Sequence, residues 1–182
     1  MSASSTRAFS SNFAIGAGCY WGTEKFIKNN FQKIHPNSIE EGLVGFMSPD
    51  PNAIKNPSYR QVCSGSTTHV EVLNIKLSKD AANEKVFEDL IRFFFQFHDP
   101  TTLNQQGNDV GTQYASVIFT SDEEQERIAT KVINELQDLI NNDKINVFRN
   151  KQVHTLVASS NTFYSAHEEH QEYLAKNPYG YW

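Results

Sequence analysis

Two residues stand where sulfur and proton chemistry would put them. Cys19 lies in Gly18-Cys19-Tyr20-Trp21-Gly22, after the short apolar run 12–17 and before Tyr20, Trp21, Phe26, Ile27 and Phe31, whose spacing is closer to helical than alternating. A cysteine at a helix start meets unpaired N–H groups and the positive end of the helix dipole, and both favour thiolate over thiol. The position predicts a nucleophile, weighed against the common fate of a lone cysteine as a small buried hydrophobe. Tyr20 and Trp21 beside it would wall an apolar pocket around the sulfur. Glu71 sits in the alternating run Val70–Leu77 and shares its face with Leu73, Ile75 and Leu77. That is apolar company for a carboxyl, and the competing reading is a strand-edge carboxylate in solvent. His167 and His170 are three apart beside Glu168 and Glu169. Without a matched third ligand elsewhere they read as a solvated polar helix face, and no metal is expected.

These groups need elements to hold them. Residues 12–17 read as a strand that stops at Gly16-Ala17-Gly18, and a helix follows with Cys19 at its start. Val86, Leu90, Phe93, Phe94 and Phe97 have helical spacing, stopped by His98-Asp99-Pro100. A second helix carries Ile128, Val132, Ile133, Leu136, Leu139 and Ile140 on one face, with Ser121 and Glu124 forming a capping-box pattern. Val147 and residues 153–158 look like strands, Val62-Cys63-Ser64 looks like a buried strand end, and residues 48–57 form a Pro-rich surface loop. Strands and helices mix without strict alternation, which predicts an α+β domain.

Composition narrows the classes. The chain has 182 residues, enough for one domain, with 13 Phe among the apolar residues of its core. With only 2 Cys it is no disulfide scaffold, and that usage points to a reducing, cytoplasmic compartment. Sixteen Lys and Arg against 21 Asp and Glu give a net charge of -5 with no basic patch, so neither nucleic acid nor an anionic membrane is an expected partner. Residues 1–11 are small and polar with one Arg, faintly like a mitochondrial import signal, and read as a disordered tail before a domain over 12–182.

Gly18-Cys19-Tyr20-Trp21-Gly22-Thr23-Glu24 resembles the signature of the A class of peptide methionine sulfoxide reductases, usually Gly-Cys-Phe-Trp-Gly. Three further blocks are similar to that family, in its order. They are Pro57-Ser58-Tyr59-Arg60-Gln61-Val62-Cys63-Ser64-Gly65 with Thr68-His69-Val70-Glu71; His98-Asp99-Pro100-Thr101-Thr102 with Gln106-Gly107-Asn108-Asp109-Val110-Gly111-Thr112-Gln113-Tyr114; and His170-Gln171 with Asn177-Pro178. The resemblance implies a two-layer sandwich with a mixed, largely antiparallel sheet around a ferredoxin-like core. It implies reduction of methionine S-sulfoxide, free or in proteins, with Cys19 as nucleophile passing through a sulfenic acid. Glu71, Tyr59 and Tyr114 would activate the oxygen, and a carboxyl desolvated on an apolar face stays protonated near neutrality, as an acid must. Tyr20 and Trp21 would enclose the substrate methyl group, with Asp109 and His170 nearby. The chain departs from the pattern at Tyr20, where phenylalanine is usual, at Phe46 and Ala115, and at His167-Glu168-Glu169.

Recycling a sulfenic acid needs a second thiol. Many family members carry resolving cysteines in a C-terminal tail, whereas this chain has only Cys63 beyond Cys19. Cys63 is the internal candidate, forming with Cys19 a disulfide that thioredoxin would open, and direct reduction by an external thiol such as glutathione with glutaredoxin is the favoured expectation. No bound cofactor is expected, and the monomer is the default state. A thiol peroxidase and a non-catalytic methionine-binding module are the competing functions. The module has no use for a nucleophile and an acid together.

Overall fold

The computed structural model describes residues 9–179. In chain order the elements are β1 (Asn12–Ala17), α1 (Tyr20–Lys25), a π-helical turn (Phe26–Phe31), α2 (Gln32–Ile34), β2 (Ile39–Met47), α3 (Tyr59–Cys63) and β3 (Val70–Leu77). They continue with α4 (Glu84–Phe94), β4 (Gln105–Gln106), β5 (Asp109–Val110), β6 (Ser116–Thr120), α5 (Glu123–Asn141), β7 (Leu156–Ser159), β8 (Tyr164–Ser165) and α6 (Tyr173–Lys176). Six strands form one sheet in the order β7-β6-β1-β3-β2-β8. Every neighbouring pair is antiparallel except β6 with β7. The four central strands with α1 and α4 make a β-α-β-β-α-β unit in the order β6-β1-β3-β2, a ferredoxin-like core as the resemblance implied.

Period-two alternation sorts the strands between two faces. Phe13 and Ile15 of β1 and Leu73, Ile75 and Leu77 of β3 face the helices, where Phe87, Leu90, Ile91 and Phe94 of α4 and Ile128, Val132 and Leu136 of α5 close the main core. Ala14, Val70, Val72, Val117 and Phe119 line the opposite face under Phe163. Each large side chain so buried contributes about 1.5–3 kcal/mol. Glu71 is in phase with Leu73, so the same alternation sends its carboxyl into the helix layer, 2% exposed.

The differences from the sequence-based expectations have local causes. The start of α5 is capped one residue later than Ser121: Asp122 accepts from the Gln125 N–H at 2.8 Å, and the Gln125 side chain reaches back to the Ser121 N–H at 2.7 Å. The helix of Phe93, Phe94 and Phe97 ends at Phe94, because Gln96 N–H turns to the Phe93 carbonyl ahead of Pro100. Val147 lies in no strand and is 80% exposed, and of residues 153–158 only 156–158 pair, in parallel with β6. Cys63 is not a buried strand end but the exposed last residue of α3. Of the expected tail, residues 1–8 lie outside the described residues. Residues 9–11 are docked, with the Phe9 ring 5.6 Å from Phe87 and the Ser10 N–H on Asp122 at 3.1 Å.

Candidate active site

The turn from β1 to α1 sets the geometry around the sulfur. Cys19 is the N-cap residue of α1, and Gly18 before it has φ 84°, a left-handed value natural to glycine. A Cβ on Gly18 would come within 2.7 Å of the Gln106 side chain, so glycine also lets the β4–β5 hairpin close on this turn. Gln106 is anchored at both ends of its amide, accepting from the Asp99 N–H at 3.0 Å and donating to the Asp99 carbonyl. That clasp fixes the hairpin, and Asp109 at the head of β5 lies where its carboxylate acts on both Cys19 and Glu71.

Glu71 lies beneath the start of α1, its Oε1 accepting the Tyr20 N–H at 3.2 Å. Burial pushes its carboxyl up to about 8 against the pull of that N–H, and the Asp109 charge adds to the rise. Near neutrality Glu71 therefore holds its proton. Cys19 departs from the thiolate expected of a helix start. Burial, then the Glu71 charge, pushes its thiol up to about 12, and the N–H groups of Trp21 and Gly22 recover only part of the shift. Desolvation outweighs the partial charge of one short helix end, so the resting group is a thiol.

Tyr59 and Tyr114 reach this centre from separate segments. Tyr59 opens α3, a five-residue helix whose capping box is complete: Ser58 Oγ accepts from the Gln61 N–H at 3.1 Å, and Gln61 Oε1 accepts from the Ser58 N–H at 2.8 Å. Tyr114 ends a 3₁₀ turn, and the neighbouring Gln113 donates to the Cys63 carbonyl at 3.4 Å, tying that turn to α3. Burial raises both phenols first; then the Cys63 side chain acts on Tyr59 and the Glu71 charge on Tyr114. Both therefore remain O–H donors. Cys63 feels the Glu71 charge as well, which puts the second thiol at the rim of the same centre.

The aromatic residues are arranged differently from a simple pocket wall. The Tyr20 ring is 1% exposed, packed 5.9 Å from Phe46 and 5.9 Å from His170, with its hydroxyl unpartnered. Trp21 stacks on Tyr173 at 3.8 Å, and His170 stacks on Tyr59 at 4.9 Å. Gln171 locks this C-terminal segment to β2, accepting from the Val44 N–H and donating to the Val44 carbonyl, each at 2.9 Å. Neither Tyr20 nor Trp21 lines the cavity of about 370 Å³ that opens at Cys19, whose walls are Thr23, Phe26, Phe97, Gln106, Asn108 and Asp109. Larger cavities of about 400 Å³ beside Lys28 and about 570 Å³ beside Leu139 lie away from the sulfur. Among the described residues no group of three or more His, Cys, Asp and Glu could hold a metal ion, and His170 belongs to the ring cluster.

Gln106 and Gln171 stand in the family blocks without an assigned role, and Tyr173 stands in none of them. Their roles come from contacts across the fold, and no periodicity marks them. The capping box on Tyr59 did have a local signal, Ser58-x-x-Gln61, overlooked because so short a helix has no apolar repeat.

Comparison with known proteins gives the chain's family and fold. The family model for peptide methionine sulfoxide reductase matches residues 11–182. A probable peptide methionine sulfoxide reductase of Schizosaccharomyces pombe is 38% identical over 92% of this chain and 89% of that protein. A peptide methionine sulfoxide reductase of Methanothermobacter thermautotrophicus is 40% identical over 90% of this chain and 86% of its own length. The reduced form of Mxr1 from Saccharomyces cerevisiae superposes with a TM-score of 0.77 at 32% identity, covering 94% of this chain and 87% of that one. Methionine sulfoxide reductase A of Corynebacterium diphtheriae superposes with a TM-score of 0.75 at 29% identity, covering 97% of this chain and 79% of its own. With the family match running over residues 11–182 and the fold superposing on two solved members, the chain belongs to the peptide methionine sulfoxide reductase family and is an oxidoreductase.

Proposed function

We propose that this enzyme reduces the S-sulfoxide of methionine, free or in exposed protein segments, through a sulfenic acid on Cys19, and so repairs oxidised protein. The observation that carries the reading is the Glu71 carboxyl buried under the start of α1, bonded to the N–H of Tyr20, the residue after Cys19, where burial raises it to about 8. A sulfoxide oxygen is a poor leaving group as an oxyanion, so it needs a proton as the sulfur is attacked. Glu71 supplies that proton, and Tyr59 and Tyr114 donate hydrogen bonds to the same oxygen, each contributing on the order of 10² in rate. As Glu71 gives up its proton it becomes the carboxylate that takes the proton of Cys19. This exchange lets a thiol held near 12 act as a nucleophile at neutral pH. The oxygen ends on Cys19 as S–OH and methionine leaves as the thioether, the substrate sulfur gaining two electrons and the cysteine sulfur losing two. Asp109 adds to the rise that keeps Glu71 protonated, and His170 and Tyr20 border the centre. An external thiol, thioredoxin or glutathione with glutaredoxin, then restores Cys19.

The test needs no reductant. Reduced protein incubated with the S-sulfoxide of N-acetylmethionine should yield one equivalent of thioether and gain one oxygen in mass, and Cys19→Ser should yield none. Equal product from Cys19→Ser, or no product from the unaltered chain, would sink the proposal.

A further inference from the structure

Away from the sulfur, the C-terminal ends of α4 and α5 and the segment 144–148 that follows α5 enclose a groove of about 570 Å³. That volume suits a bound ligand or peptide. The groove shares no lining residue with the cavity at Cys19. Phe95, Val132, Leu136, Leu139, Val147 and Phe148 give it an apolar lining. Val147 is 80% exposed and Leu139 42%, so large side chains that the core leaves out meet along one cleft. The main chain beside them is unmet as well. Residues 146–148 lie in no helix or strand, and among the described residues their N–H and C=O groups make no hydrogen bond. The charges here run against the net -5 of the chain. Lys144 lines the groove, and Arg149 and Lys151 line a smaller hollow of about 130 Å³ that shares Ile145, Asn146 and Phe148 with it. All three are exposed, and residues 144–151 contain no acid. Among the described residues none of these three cations has an ion-pair partner. The carboxylates lining the two hollows are Asp143 and Glu135, and Glu135 is already held by Arg92 at 2.7 Å.

We propose that this groove docks a peptide segment of a partner protein, one that carries a large apolar side chain flanked by Asp or Glu. It is a recognition surface apart from the oxygen transfer proposed above. The apolar lining favours a side chain that gains by leaving water. The unpaired N–H and C=O groups of residues 146–148 can take up a peptide main chain, as a sheet edge takes an added strand. Val147 has the look of a strand residue in the sequence and pairs with nothing in the fold, and a bound segment supplies the neighbour that the sheet does not. The three cations select the flanks, since each attracts a carboxylate and repels a Lys or Arg in its place. A fatty carboxylate would fill the lining but offer one charge to three cations and nothing to the main chain.

The probe is a fluorescein-labelled, amidated peptide Glu-Glu-Leu-Phe-Glu-Glu, read by fluorescence anisotropy beside counterparts in which every Glu is Gln or Lys. The acidic peptide should bind roughly tenfold tighter than the Gln peptide, and the Lys peptide should bind weakest. Added salt should erode the difference. Val147→Glu, a change at an exposed side chain, should weaken the acidic peptide about tenfold. Lys144→Glu combined with Arg149→Glu should reverse the order of the acidic and Lys peptides. Both variants should keep the thermal midpoint and the single-turnover rate with the S-sulfoxide of N-acetylmethionine, because neither lines the cavity at Cys19. In the unaltered protein, where no variant is needed, titration with the acidic peptide should shift the NMR amide signals of Asn146, Val147 and Phe148. Equal affinity for the three peptides, an acidic-peptide affinity unmoved by Val147→Glu, or amide shifts confined to the cavity at Cys19 would overturn the proposal. Self-association that Val147→Glu abolishes would overturn it by giving the groove to a second copy of the chain. Tighter binding of laurate than of the acidic peptide would overturn it in favour of a fatty carboxylate.

Discussion

At the residue scale, the chemistry depends on two protons held in unusual places. Glu71 keeps its proton to about 8 because it is buried, and Cys19 keeps its own to about 12 for the same reason, with the Glu71 charge added. The proposed oxygen transfer starts from both groups protonated and moves each proton once. Its single-turnover rate should therefore be flat through neutrality and fall as pH rises through about 8, when the carboxyl loses the proton it must donate. Stopped-flow measurement across pH 5–10 checks this (roughly tenfold loss per unit above the inflection). A rate that instead climbs with pH toward the thiol's value would make thiolate formation, not the acid, the controlling step. Placement of Cys19 before a helix suggested a thiolate, and that fails because the folded chain closes over the sulfur and desolvates it.

Among the elements, short ones place the donors, and caps rather than length stabilise them. The five residues of α3 are too few to be helical alone, so the Ser58 and Gln61 bonds fix the first turn on which Tyr59 rides. Ser58→Ala should cost about 1 kcal/mol locally and slow the oxygen transfer several-fold, with the thermal midpoint nearly unchanged, because the main core does not include this turn's exposed face. Single-turnover rate and thermal melting on the same variant separate the two effects. If the midpoint drops and the rate does not, α3 serves the fold and does not position Tyr59. The long elements were legible because each repeats an apolar period, as in β3 and α5. Those around the site were not, since α3, the β4–β5 hairpin and the segment from Tyr164 to Lys176 are held by side-chain bonds to other turns and to β2.

For the whole molecule, a buried acid is a cost the fold bears. Glu71 has its folded value raised to about 8 from an ordinary 4.5, so its favourable contribution is present below 4.5 and is lost as pH rises through 8. Relative to the unaltered chain, Glu71→Gln should become more stable by about 1.4 kcal/mol for each pH unit across that window, read by denaturant titration at pH 5 and pH 8.5. A difference that does not grow with pH would mean that Glu71 is not desolvated in the folded state. The sequence by itself determined the strand of Glu71 and its face, the position of Cys19 at a helix start, the α+β class and the family blocks, because each is a matter of local period or local spacing. Only the tertiary structure decided that the Cys19 thiol is held protonated, that Cys63 lies exposed at the rim, that Tyr20 and Trp21 pack into a ring cluster with His170, and that a cavity opens at Cys19. Each of those depends on how much water is excluded and which distant side chains meet, and no spacing along the chain encodes either.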